Sequence, residues 1–137
     1  MNDTEFLAAF ESGTLPGVLW THEAHVRMAY LYARDHADSR SLLAQVRERI
    51  RFHNESHGNR TGYHETITVA FLALIVERLR AGQGAGSWEE FRLAHADLVR
   101  QGMEPLYRHY TRDVLFSEAA RASFVPPDAA PLPVDIV

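Results

Sequence analysis

The sequence predicts an all-α fold, an up-down bundle of four to five helices followed by an extended, proline-rich C-terminal tail. Three observations predict it. Apolar residues recur at i, i+3 and i+4 in several separate stretches. Most of these stretches open on a Ser, Thr, Asn or Asp able to cap a helix, and glycines mark the breaks between them. No stretch alternates apolar and polar residues as a half-buried strand would.

Taken in order, Asn2 or Asp3 caps a first helix that carries Phe6, Leu7 and Phe10 and ends at Gly13. Pro16 and Gly17 mark a loop from Gly13 to Trp20. Thr21 caps a second helix, which runs to about Asp35 with Val26, Ala29, Tyr30 and Ala33 as its apolar stripe. A third helix starts near Ser41, places Leu42, Val46 and Ile50 on one stripe and reaches about His53. The polar run NESHGNRTG, residues 54–62, reads as turn. The fourth helix begins around Thr61 or Tyr63 and continues to Arg80, and its unbroken apolar run over residues 69–76 makes it the central, most buried one. After the break AGQGAG, Ser87 with Glu90 makes a capping-box pattern ahead of Phe91 and opens a fifth helix to about Arg100. Glu104 to Tyr110 reads as one more helix, and Ser117 caps a short turn through Ser123. Pro126, Pro127, Pro131 and Pro133 then make the end extended, so residues 1–125 form the domain and residues 126–137 its tail.

Composition bounds the function. The chain of 137 residues is long enough to bury a core and suits one domain, since roughly 100–150 residues is the usual size. Net charge is −4 with eight histidines held neutral, and no basic block appears, so nucleic acid is not the expected partner. The absence of cysteine excludes disulfides, thiolate zinc sites and cysteine nucleophiles. The start MNDTEFLAAFES is too acidic for a secretory signal, and no run approaches the roughly 20 apolar residues of a membrane span. A cytoplasmic protein without a membrane partner is the expectation.

The histidines carry the functional signal. At about 100° per residue, His22 falls in the middle of the second helix's apolar stripe and His25 on its flank. His64 stands four residues before Thr68 at the head of the stripe Thr68, Phe71, Ile75, Leu79, and His53 continues that of the third helix. In an up-down bundle the start of helix two, the end of helix three and the start of helix four share one end. His22, His25, His53 and His64 therefore cluster there, with Tyr63, Glu65, Asn54, Glu55 and His57 near in sequence. An i, i+3 pair plus a third nitrogen suits a divalent metal, so His22, His25 and His64 are the candidate ligands for zinc, iron or manganese. Glu65, or else Glu55, is then the general base or a further ligand, with His64 a second acid–base group. Without metal, the same imidazoles lie in first helical turns, where the dipole favours the neutral form. Tyr63, Thr66 and Arg121 are the candidate ligand-binding side chains, for a small polar molecule.

Plainer readings stand beside these. Taken singly, a histidine on an apolar face is a core or cap residue, and H-x-x-H is a weak motif beside H-E-x-x-H. Trp20 reads as a hydrophobic staple next to the helix-two cap. Arg108, Arg112 and Arg121 read singly as solvated or salt-bridged, and Gly84 and Gly86 form no phosphate loop. Three functional classes follow: a metal-dependent, hydrolase-like enzyme, a non-catalytic ligand-binding or regulatory module, and a structural homodimer.

Three segments carry a resemblance. Trp20, His22 and His25 fit W-x-H-x-x-H, residues 62–66 read G-Y-H-E-T, and Ser117, Arg121, Phe124 and Asp128 fall in S-x-x-A-R-x-x-F-V-x-P-D. In these the chain resembles a family of small uncharacterised bacterial proteins of similar length, from about Trp20 to Pro133. The resemblance implies no activity. It does imply that Arg121 and Asp128 matter, by folding the C-terminal segment back over the histidine end.

Overall fold

In a computed structural model, which describes residues 1–36 and 39–137, the first helix, α1, spans Asp3–Ser12. It opens on a reciprocal capping box between Asn2 and Glu5, so two otherwise orphaned backbone donors are satisfied. It closes on Gly13 in the left-handed region (φ 76°). That glycine is doubly required, because a Cβ there would lie 2.4 Å from the Ser56 hydroxyl oxygen. Thr21 caps α2, His22–Asp35, as its sequence position predicts. Between them, Gly17–Leu19 form a 3-10 turn within the expected loop.

Helix α3, Ser39–Ser56, is longer than its apolar stripe predicts and carries Asn54, Glu55 and Ser56 into its last turn. Helix α4, Glu65–Arg80, starts later than expected, with His64 as its cap in place of Thr61 or Tyr63. Its residues 69–76 are all buried, as the unbroken apolar run requires. The expected fifth helix is divided: α5, Trp88–Ala94, and α6, Ala96–Arg100, meet at His95. The cause is local. The His95 ring is buried, donates from Nε2 to the Gln83 carbonyl at 2.6 Å and accepts from Arg78 at Nδ1 at 2.9 Å, which holds its backbone outside the helical region. A 3-10 segment, Glu104–Arg108, leads to α7, Arg112–Leu115, and α8, Glu118–Ala122, which Ser117 caps.

Among the described residues the fold is all-α, with no strand, and no helix is long and apolar enough to cross a membrane. Helix α4 packs against α2, α3 and α8, while α1 lies on α3 and α6 on α2. Residues 123–137 hold no helix, yet they are tied back onto the helices. Tyr110 donates to the Val125 carbonyl at 2.7 Å, and Asp128 accepts from both the amide and the hydroxyl of Thr111. Ile136 joins the core.

Candidate functional site

The first half of α2, the second half of α3 and α4 as far as Ile75 border a cavity of about 360 Å³. Its walls are mostly apolar: Val26, Met28, Ala29, Val46, Ile50, Ile67, Phe71, Leu72, Ile75 and Met103. The polar groups on it are His22, His25, Asn54, Tyr63, His64 and Thr68. His22, His25 and His64 thus border one space, which His53 does not line.

His25 is the best defined of them. Its Nδ1–H donates to the Thr21 carbonyl at 2.7 Å, so the proton resides on Nδ1 and Nε2 keeps its lone pair. Trp20 stacks on the ring at 3.7 Å between centroids. The two occupy the positions of a hydrophobic staple, one before the cap and one four after it, with an imidazole as the inner partner. Phe10 stacks on Trp20 at 4.9 Å, and His53 also packs against it at 4.7 Å. Burial lowers the His25 pKa to about 4, with His22 and His53 acting in the same direction and the Thr21 bond opposing. At neutral pH the ring is uncharged.

His22 donates from Nε2 to the Leu98 carbonyl at 2.9 Å and meets Phe71 edge-on. His64 has both nitrogens engaged. Its Nδ1 accepts the Ile67 amide at 3.1 Å as the helix cap, and its Nε2–H donates to the Leu115 carbonyl at 2.8 Å. Burial again lowers its pKa. A divalent ion would need a lone pair from each of the three rings, and His64 has none to give. Among the described residues no group of three or more His, Asp or Glu is placed to hold an ion. The residues therefore do not fit the zinc, iron or manganese site that the spacing suggests. Helical phase misplaces His64 because it is not helical: its backbone is extended (φ −132°, ψ 110°), and its ring turns to an orphan amide instead of lying along the stripe.

Glu65 does not border the cavity. Arg47 holds its carboxylate through two bonds, at 2.9 and 2.5 Å, and the Tyr63 hydroxyl donates to it at 2.5 Å. Burial raises the Glu65 pKa, but Arg47 and Tyr63 outweigh it and hold the group below its ordinary 4.5. A carboxylate so engaged is a structural anchor, not a ready base. Its folded pKa is depressed, so its contribution to stability is present above 4.5 and is lost as pH falls through the folded value. Glu65→Gln is expected to lower stability at neutral pH by about 1–2 kcal/mol and to flatten the acid limb of urea-denaturation stability against pH. An unchanged acid limb would count against the network.

Thr66, expected at a ligand, is fully buried, donates to the Ser123 carbonyl at 2.9 Å and accepts the Val125 amide at 3.1 Å. Arg121 donates to the Thr61 carbonyl and borders a separate, polar cleft. The C-terminal segment thus folds over the start of α4 and the turn before it through four bonds, one at His64, two at Thr66 and one from Arg121 to Thr61. Asp128 instead ties down Thr111. His53 is buried with Nδ1 unpartnered, facing Phe10, Trp20 and His57.

Asn54 borders both the cavity and the cleft from the last turn of α3, not from the turn that its polar neighbours predict. A signal was present: Leu42, Val46, Ile50 and Asn54 continue one i, i+4 series. Met103 had no such signal, since it reaches the cavity only through the fold. No family model, curated protein or solved structure matches this chain.

Proposed function

We propose that this protein is a small-ligand-binding module, an up-down helical bundle whose cavity takes a mainly apolar molecule carrying one hydrogen-bond donor. One observation carries the reading: His25, which borders a mostly apolar cavity, is held as a neutral imidazole by Thr21 and Trp20, and its Nε2 keeps a free lone pair. A donor bound there exchanges an unpaired acceptor for a hydrogen bond in a low-dielectric space. The volume lies at the small end of the range for ligand pockets, roughly 300–1,000 Å³. The apolar walls favour such a molecule over the small polar one expected from the sequence. Binding is also favoured over general-base catalysis, because a ring with a pKa of about 4 is a weak base at neutral pH.

The test is calorimetric or NMR titration with 4-ethylphenol and ethylbenzene, which differ by the donor alone. The phenol is expected to bind about tenfold more tightly, the worth of one hydrogen bond. His25→Leu, which keeps the ring's apolar volume in part, should abolish that preference. Equal binding of the two probes, no binding of either, or an undiminished preference in His25→Leu would each refute the reading.

A further inference from the structure

Next to the apolar cavity lies a polar cleft of about 590 Å³, and the two share Asn54, Gly62 and Tyr63. The boundary is therefore one short stretch of wall, the end of α3 and the turn into α4. Three guanidiniums border the cleft: Arg51, Arg60 and Arg121. Among the described residues none of them is ion-paired with a carboxylate, although Arg27, Arg34, Arg47, Arg78 and Arg92 all are. Arg51 lies over the Tyr63 ring, 4.7 Å from its centroid, a stacking that orients the guanidinium and leaves its edge N–H groups available. This concentration of cations stands on a chain whose net charge is −4. Glu55 and Glu118 also border the cleft, so the excess of positive charge is small and matches a monoanion better than a phosphate dianion.

We infer that the cleft receives the carboxylate of the same ligand whose donor meets His25, so that the ligand class is a hydroxylated carboxylic acid with an apolar middle. This rests on the cavity reading above: the apolar part lies among the walls of α2, α3 and α4, the hydroxyl reaches His25, and the carboxylate passes the Asn54–Tyr63 wall to the arginines. A planar carboxylate suits guanidinium recognition, which is bidentate where two N–H groups converge.

The experiment titrates the intact protein with 3-(4-hydroxyphenyl)propanoate and with its primary amide, an isostere lacking the charge. It is run on the parent and on an Arg51→Gln/Arg60→Gln variant, whose two positions are exposed. The acid is expected to bind about tenfold more tightly than the amide at low salt, and the preference should shrink as salt is added. In the double variant it should fall to about twofold or less. Equal or tighter binding of the amide, while 4-ethylphenol still binds, would overturn the carboxylate assignment alone and leave the cavity reading standing. A preference for the acid that survives in the double variant would overturn it too. Failure of the acid, the amide and 4-ethylphenol together would remove the cavity reading and this inference with it.

Discussion

The Phe10→Ala protein is expected to be about 4 kcal/mol less stable than the parent and to melt roughly 10–15 °C lower. Phe10 is fully buried and stands behind the aromatic stack, against Trp20 at 4.9 Å and His53 at 5.4 Å between ring centroids. Truncation removes the transfer energy of a phenyl ring and leaves a cavity that rigid neighbours fill only in part. The site should feel the loss as well, since Trp20 in turn stacks on His25. With its backing gone, Trp20 admits water to the imidazole, and the His25 pKa rises from about 4 toward its ordinary 6.5. Proton NMR of the histidine rings across a pH series reads this directly. Folded His25 takes its proton near 4 and the unfolded residue at 6.5, so the parent loses stability as pH falls through that window. The variant should lose less of it there. A melting temperature within a few degrees of the parent, or an unmoved His25 titration, would show that the stack neither supports the fold nor shields the ring.

Thr66→Val should cost about 3 kcal/mol although it changes almost no volume. The hydroxyl of Thr66, fully buried, is at once donor to the Ser123 carbonyl and acceptor from the Val125 amide. Valine leaves both backbone groups without partners, each at a cost of roughly 1–3 kcal/mol unless water reaches it. Thr66→Ser, which keeps the hydroxyl, should cost less. The two variants separate in urea denaturation, and amide exchange at Val125 should accelerate in the valine protein alone. Equal stability of the two variants would mean that the clasp contributes nothing beyond packing.

Much of the helical framework was legible in the sequence. Asn2, Thr21, Ser87 and Ser117 cap the helices that their positions predict, because a cap is a contact between residues two or three apart. The buried run of α4 was equally clear, since eight consecutive apolar residues leave a helix no solvent face. The break at His95 was not, because the capping box and the stripe after it continue smoothly in the sequence. What interrupts the helix is a ring anchored to Arg78 and Gln83, and Arg78 belongs to another helix.

That His22 and His25 border one space was likewise readable from helical phase, and His64, a cap outside the helix, joins them by chain order. What each ring does there was not. The tautomer of His25 follows from a carbonyl four residues away, within reach of sequence reasoning. The partners of His22 and His64 are the carbonyls of Leu98 and Leu115, 76 and 51 residues distant. Periodicity states which way a side chain leaves its helix and says nothing about which backbone oxygen will come to meet it. The sequence by itself determined most of the helices, the caps at Asn2, Thr21, Ser87 and Ser117, and the buried run of α4, all set by interactions within a turn or two of chain. Only the tertiary structure decided that His64 and Glu65 are already satisfied and that His25 keeps a free lone pair, because hydrogen-bond capacity is consumed by whichever group the fold brings within 3 Å or so.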